Sequence, residues 1–235
     1  MCLSEGMNSE IADALRRAGV SQVDISTRRR AEYATDASLY RVVPAAVAFP
    51  RSADEVEAAL FVCRSLGVPL TARGGGTSIA GNAVGSGVVL DFSRHLNRIE
   101  QFDPEARTAV VQPGVVLDDL QRRARPHGLR FGPDPSTHSR CTLGGMIGNN
   151  SCGSRALAYG RTADNVRALD LLTGTGSYLR ARQGTTVAGL RALVDANLAV
   201  IRKELGRFTR QVSGYSLEHL LPEHGFHLPA ALVGT

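Results

Sequence analysis

The stretch Arg73-Gly74-Gly75-Gly76-Thr77-Ser78-Ile79-Ala80-Gly81-Asn82 decides how the rest of the chain is read. Three consecutive glycines release the backbone into φ > 0 without a steric penalty. A backbone so released can turn successive N–H groups toward one point and form an anion nest, for which a cofactor pyrophosphate is the natural occupant. Upstream, Val68-Pro69-Leu70-Thr71-Ala72 is a short apolar run that predicts a strand. Downstream, Gly85-Ser86-Gly87 leads into Val88-Val89-Leu90-Asp91-Phe92, a second predicted strand. A Rossmann fingerprint needs G-x-G-x-x-G and then a helix, and a P-loop needs Gly-Lys-Ser/Thr. Here the glycine spacing differs, no helix is predicted to follow, and the loop has no lysine. The segment is therefore read as a phosphate cradle of another kind, set between two strands.

Composition narrows the surroundings of that loop. The 235 residues suffice for one domain or two small ones, and the 43% hydrophobic content suffices for a sizeable core. Aromatic residues make up only 5% and Trp is absent, so the core must be built from Val, Leu, Ile and Ala. The 25 glycines cluster near 74–87 and 144–189, a distribution that marks functional loops. Net charge is +5, carried by arginines, with Lys203 the single lysine. Those arginines are scattered, and the runs Arg28-Arg29-Arg30 and Arg122-Arg123 have no aromatic neighbours on which bases could stack. Nucleic acid is therefore not an expected partner. Cys2, Cys63, Cys141 and Cys152 form no C-x-x-C pair, and His219, His224 and His227 match no zinc spacing, so no metal is expected. No apolar run approaches the ~20 residues of a membrane span. A cytoplasmic protein is the expectation, with peripheral membrane association left open.

Coarse elements follow from periodicity and punctuation. A helix is predicted over Ser9–Ala18, capped by Ser9, and 26–39 is predicted irregular. Val42–Phe49 predicts a strand, and the capping-box pattern Ser52-Ala53-Asp54-Glu55 opens a helix ending at Gly67. Ile99–Phe102 and Thr108–Val111 predict a hairpin, and Leu117–Pro126 a helix. Residues 131–153 are predicted irregular, and so long a loop in a compact domain is usually functional. Val166–Thr173 and Tyr178–Ala181 predict a second hairpin, and Val187–Leu205 the longest helix. The class expected is α+β with two lobes: 1–32 a helix and linker, 33–112 the first lobe, 113–235 the second, with a cofactor in the cleft between lobes.

Five motifs in order then carry a resemblance. They are Phe49-Pro50-Arg51-Ser52-Ala53-Asp54-Glu55-Val56, Arg73-Gly74-Gly75-Gly76-Thr77-Ser78, Gly132-Pro133-Asp134-Pro135-Ser136-Thr137, Thr142-Leu143-Gly144-Gly145-Met146-Ile147-Gly148-Asn149-Asn150-Ser151-Cys152-Gly153, and Tyr159-Gly160-Arg161-Thr162-Ala163-Asp164-Asn165-Val166. Together they resemble the FAD-binding PCMH-type domain of the vanillyl-alcohol oxidase superfamily, over roughly residues 33–235. Within it the likeness is to FAD-linked oxidases of the glycolate oxidase and D-lactate dehydrogenase kind, and to large bacterial proteins with an iron–sulfur segment further on.

The resemblance implies site residues. Arg73, Gly74, Gly75, Gly76, Thr77, Ser78, Gly81 and Asn82 would hold the FAD pyrophosphate. Pro133 and Asp134 would lie near the flavin or ribityl chain. Thr142, Leu143, Gly144, Gly145, Gly148, Asn149, Asn150, Ser151 and Gly153 would wrap the flavin, ribityl and phosphate region. Gly160, Asn165 and Val166 would lie toward the adenine. Thr77 stands where some relatives attach FAD covalently through a histidine, which implies non-covalent FAD.

The implied reaction oxidises a D-2-hydroxy acid of lactate, glycolate or 2-hydroxyglutarate type to the 2-oxo acid. A base takes the hydroxyl proton as hydride leaves C2 for flavin N5. The electron acceptor is unassigned, and no residue of this chain is assigned as the base. The chain ends at Ala231-Leu232-Val233-Gly234-Thr235, where relatives continue into further strands and a substrate domain, so a C-terminally truncated FAD domain is expected. An iron–sulfur cluster would belong only to a missing C-terminal part. Two alternatives stand: a non-catalytic fragment, and another flavoenzyme of the same fold, such as an NADPH-dependent enolpyruvyl-sugar reductase.

Overall fold

The computed structural model describes residues 5–208 and 214–235; Cys2 lies outside them. The elements, in chain order, are α1 (Glu5–Arg17), β1 (Val23–Asp24), α2 (Thr27–Glu32), β2 (Ala46–Ala48), α3 (Ala53–Ser65), β3 (Leu70–Arg73), β4 (Val88–Asp91), β5 (Ile99–Asp103), β6 (Thr108–Val111), α4 (Leu117–Ala124), α5 (Leu143–Gly148), α6 (Ala156–Tyr159), α7 (Thr162–Asn165), β7 (Leu169–Leu172), β8 (Tyr178–Ala181), α8 (Leu190–Ala196), α9 (Leu198–Glu204) and α10 (Leu228–Leu232). The class is α+β, as expected. The chain divides by contacts into two units, one of residues 1–130 with 137–145, the other of 131–136 with 146–235.

The first unit is organised by a four-stranded sheet in the order β1-β2-β4-β3, with β2, β4 and β3 mutually parallel and β1 antiparallel at the edge. Every residue of β2 and β4 is buried, as suits inner strands of a parallel sheet. Ile11, Leu15 and Val20, around α1, and Ala59, Val62 and Cys63 of α3 pack with Ala46, Ala48, Val88 and Leu90 in one core. Parallel strands normally need a helical crossover, and α3 supplies one between β2 and β3. From β3 to β4 no helix intervenes: the whole connection is the glycine loop, residues 74–87. The glycine loop thus spans the ends of two paired strands.

Ser52 caps α3, its hydroxyl accepting the Glu55 N–H at 3.3 Å. The Glu55 carboxylate does not return to Ser52; it accepts the N–H groups of Arg51 and Ser21 instead, each at 3.3 Å. Ser52→Ala is expected to lower stability by about 1 kcal/mol, read as a small downward shift in thermal midpoint, because one donor of the first turn is left unpaired.

Several elements depart from expectation for local reasons. Helix α1 starts upstream of Ser9, because Met7 and Asn8 continue the three-four spacing by a turn. The segment predicted irregular over 26–39 contains α2, capped by Ser26 and braced by Glu32 pairing with Arg28 and Arg29. Within 131–153 lies α5. The predicted helix Val187–Leu205 is broken into α8 and α9 at Asn197, whose side chain donates to the Leu193 carbonyl at 2.8 Å and ends the first helix. The units also differ from lobes drawn at residue 112. A bridge between Val116 and Thr142, with Leu143 N–H bonded to Val115 O and Gly144 N–H to Pro113 O, ties residues 113–116 and 142–144 together within the first unit.

The second unit has its own core. The antiparallel hairpin β7–β8, as predicted, contributes Ala181, which packs with Val194, Ile201, Leu220, Leu221, Phe226, Leu228 and Ala231.

Candidate functional site

In the first unit, the backbone N–H groups of Gly75, Gly76, Thr77 and Ser78 meet no acceptor among the described residues. Four successive free donors in one loop are the physical requirement of an anion nest. The turn beyond them is held by Ser78, buried, whose hydroxyl oxygen accepts the N–H groups of Ala80 at 3.2 Å and Asn82 at 3.3 Å. The glycines serve two different purposes. Gly76 at φ 64° and Gly81 at φ 81° need the left-handed region. Gly74 and Gly75 do not; they are glycine because neighbours press on them. A Cβ on Gly74 would overlap the Thr142 hydroxyl, and one on Gly75 would overlap the Arg140 carbonyl. Thr142, almost fully buried, therefore acts through packing, and its Oγ1 also accepts the Gly145 N–H at 3.2 Å.

Arg73, expected among the ligand-holding residues, turns back onto its own loop. Its guanidinium donates to the Ala83 carbonyl at 2.9 Å and lies 5.0 Å over the Tyr33 ring. Tyr33 in turn donates to Asp91 at 2.5 Å. Burial, then the Asp91 hydrogen bond, push the Tyr33 hydroxyl well above its usual range, so it stays protonated and a donor. Asp36 accepts the N–H of Ser38 at 2.9 Å and of Ala83 at 3.3 Å. Burial acts to raise the Asp36 pKa, but these hydrogen bonds and the Arg73 charge outweigh it and hold it below the ordinary value. Tyr40 covers Gly81, its Cδ2 2.6 Å from where a Cβ would stand. Tyr33, Asp36 and Tyr40 carry no role legible in sequence: the nearest of them precedes the loop by more than thirty residues.

The second unit holds the other candidates. Gly153 packs against Asp134, where a Cβ would overlap the Asp134 carbonyl, and Asp134 pairs with Arg155 at 3.1 Å. Pro133 is buried. Asn150, at φ 45° and buried, accepts the Ala163 N–H at 3.0 Å. Ser151 offers its carbonyl to the Thr162 N–H at 2.9 Å and hydroxyl at 2.6 Å. Asn165 donates to the carbonyls of Tyr159 at 2.8 Å and Arg161 at 2.9 Å, next to Gly160 at φ 71°, and Val166 ends α7. Gly148 and Asn149 are exposed, and Gly148 has no atom near its missing Cβ. Leu143, Gly144 and Gly145 stay with the first unit. Much of the stretch from Asn150 to Val166 is thus a self-bonded scaffold.

No group of three or more metal-ligating side chains occurs among the described residues. His138, in the stretch 131–153 predicted irregular, is bonded to Asp118 at 2.8 Å. His227 caps α10 by accepting the Ala230 N–H at 3.1 Å. Burial drives the Cys63 thiol up to about 11, which leaves it an inert core residue.

Residues 44–182, more than half of the chain, match the family model of the FAD binding domain. The chain belongs to this family. Free N–H donors in the glycine loop fit the FAD pyrophosphate that the family binds. Among curated proteins, the D-2-hydroxyglutarate dehydrogenase of Pseudomonas putida is 34% identical over 247 positions, covering 96% of this chain and 25% of that protein. The dehydrogenase of the same name from Escherichia coli is 41% identical, covering 88% of this chain and 22% of its own length. Glycolate oxidase subunit GlcD of Bacillus subtilis is 39% identical, covering 69% and 35%. The chain therefore spans a quarter or less of the two dehydrogenases and about a third of GlcD. Of solved structures, an alkyldihydroxyacetonephosphate synthase superposes with a TM-score of 0.67 at 24% identity, covering 77% of this chain and 36% of that one. At that identity the likeness speaks to the fold alone. No helix among the described residues is long and apolar enough to cross a membrane.

Proposed function

We propose that this chain is the flavin-binding portion of an oxidoreductase that converts a D-2-hydroxy acid of lactate, glycolate or 2-hydroxyglutarate type to the 2-oxo acid. The observation that carries the reading is the run of free N–H donors from Gly75 to Ser78 in a chain whose curated relatives include D-2-hydroxyglutarate dehydrogenases and glycolate oxidase subunits. Bound FAD would supply the two-electron acceptor. The residues of the chain supply position and charge. In this reading Gly74 to Ser78 hold the pyrophosphate, with Gly81 and Asn82 closing the turn. Leu143 to Gly145 stand in the first unit, beside Thr142 and Gly74. Pro133, Asp134, Gly148 to Ser151 and Gly153 belong to the flavin and ribityl region, and Gly160, Asn165 and Val166 to the adenine end. Thr77 offers a hydroxyl that cannot form the histidyl link, so the cofactor is held without a covalent bond. Free thiols at Cys63, Cys141 and Cys152 support a cytoplasmic setting.

The test is the visible spectrum of the purified chain, before and after acid precipitation. Flavin bands that pass to the supernatant are expected, with near-equimolar FAD. Colour retained in the pellet would show a covalent link. A colourless chain that takes up no added FAD would overturn the reading.

A further inference from the structure

A small strap underlies the glycine loop. Residues 34–42 fold back on themselves through a bridge between Thr35 and Arg41 and a hydrogen bond from Val42 N–H to Ala34 O at 2.8 Å. Two local side-chain turns order the strap: Asp36 accepts the Ser38 N–H, and Ser38 Oγ accepts the Tyr40 N–H at 3.1 Å. From it, Asp36 reaches the N–H of buried Ala83, 47 positions along the chain. Arg73, from the end of β3, takes the carbonyl of the same residue. Both polar groups of Ala83 are therefore clamped by side chains of opposite charge. Ala83 lies between Asn82 and the return into β4, so fixing it fixes the far limb of the loop. The near limb starts at Arg73, which pairs in register with Asp91. Asp91 is held by Tyr33, just ahead of the strap, and Tyr40 covers Gly81. The loop is thus braced at its start, its turn and its end.

We propose that Asp36 and Arg73 form a latch on the Ala83 peptide that holds the glycine loop in its anion-ready shape before the ligand arrives. Both are positioning residues, and the proposal rests on the reading that this loop takes the FAD pyrophosphate. Keeping four successive donors unpaired in the absence of an anion is unfavourable, because their partial positive charges repel. A loop formed only part of the time binds with an affinity reduced by that fraction. The placement of an acid here is otherwise counterproductive: a carboxylate near a diphosphate site repels it. Charge and position therefore predict opposite signs for Asp36→Asn. Removal of the charge alone tightens FAD binding, whereas loss of the latch weakens it.

The experiment uses the 235-residue chain and its variants Asp36→Asn, Arg73→Lys and the double variant. FAD affinity and association rate are read by flavin fluorescence, and backbone hydrogen exchange is read on the ligand-free proteins. The latch predicts about tenfold weaker binding for each single variant, expressed in the association rate, and a double variant no weaker than the worse single. At saturating FAD the flavin spectrum should equal that of the unaltered chain. Without ligand, peptides covering 74–87 should exchange faster while those covering α3 stay protected. A merely structural defect would instead move α3 as well. Tighter FAD binding by Asp36→Asn, additive losses, or unchanged exchange over 74–87 would each overturn the latch. If the unaltered chain binds no FAD but exchange over 74–87 still responds to both substitutions, the latch stands and the FAD reading falls.

Discussion

Gly75→Ala should weaken FAD binding by about 10- to 100-fold, the larger of the two effects expected on the site. The residue has no left-handed φ, so backbone strain is not the cause. Its missing Cβ would overlap the carbonyl oxygen of Arg140, with the Arg140 carbonyl carbon 3.0 Å away. A side-chain neighbour could rotate aside, but here the obstacle is backbone. That backbone is itself committed: Arg140 N–H bonds to Thr137 O at 2.8 Å, and Cys141 O accepts the Leu117 N–H at 3.1 Å. The loop must therefore move, and it carries the free donors with it. Overpacking of this kind costs about 1–3 kcal/mol, which converts to the stated fold-change if it falls on the ligand-binding geometry. Flavin fluorescence titration gives the affinity. Gly174→Ala is the matched control, since no atom lies within 4 Å of its missing Cβ. Equal affinities for the two variants would refute the steric account of the glycine run.

Leu90→Ala should have the largest effect on stability. Leu90 is fully buried on β4, the strand between β2 and β3, where it lies opposite Ala48 and Ala72. It shares its core with Ile11, Leu15, Val62 and Val88, and its cross-strand partners Ala48 and Ala72 are too short to fill the space it would leave. A Leu→Ala change at such a site costs about 2–5 kcal/mol, a large part of the 5–15 kcal/mol that holds a typical domain. The thermal midpoint should fall by on the order of 10 °C. Because β3 and β4 carry the two ends of the glycine loop, FAD content after purification should fall with it. Phe61→Ala, at a position 69% exposed, should stay within about 0.5 kcal/mol of the unaltered chain. Differential scanning calorimetry on the two variants separates the cases. A Leu90→Ala midpoint within a degree or two of the unaltered value would mean that β4 is not the centre of this core.

The glycine loop illustrates how far local sequence carries and where it stops. A run of glycines between two apolar segments is a chemical signature readable without coordinates, and so were the hairpins β5–β6 and β7–β8, where turn residues separate short β-prone runs. The Ser52 cap was legible because both partners lie within one helical turn. The reason for each glycine was not. Sequence alone suggested freedom in φ for all three of Gly74 to Gly76, whereas only Gly76 uses it, and the other two answer to Thr142 and Arg140. Likewise Arg73 belonged by position to the ligand-holding run, and only its hydrogen bond to Ala83 and its stacking on Tyr33 show that it braces the loop.

Elements within about a dozen residues of their determinants, the α+β class and the glycine-rich connection between two strands were therefore settled by the amino-acid sequence itself, because caps, turns and periodic burial are local interactions. Which strand lies beside which, the parallel pairing that puts a loop instead of a helix between β3 and β4, and the convergence of Tyr33, Asp36, Tyr40, Arg73 and Thr142 on that loop were decided only by tertiary structure. Those partners lie tens of residues apart, and no local rule specifies a neighbour that only the closing of the fold brings within reach.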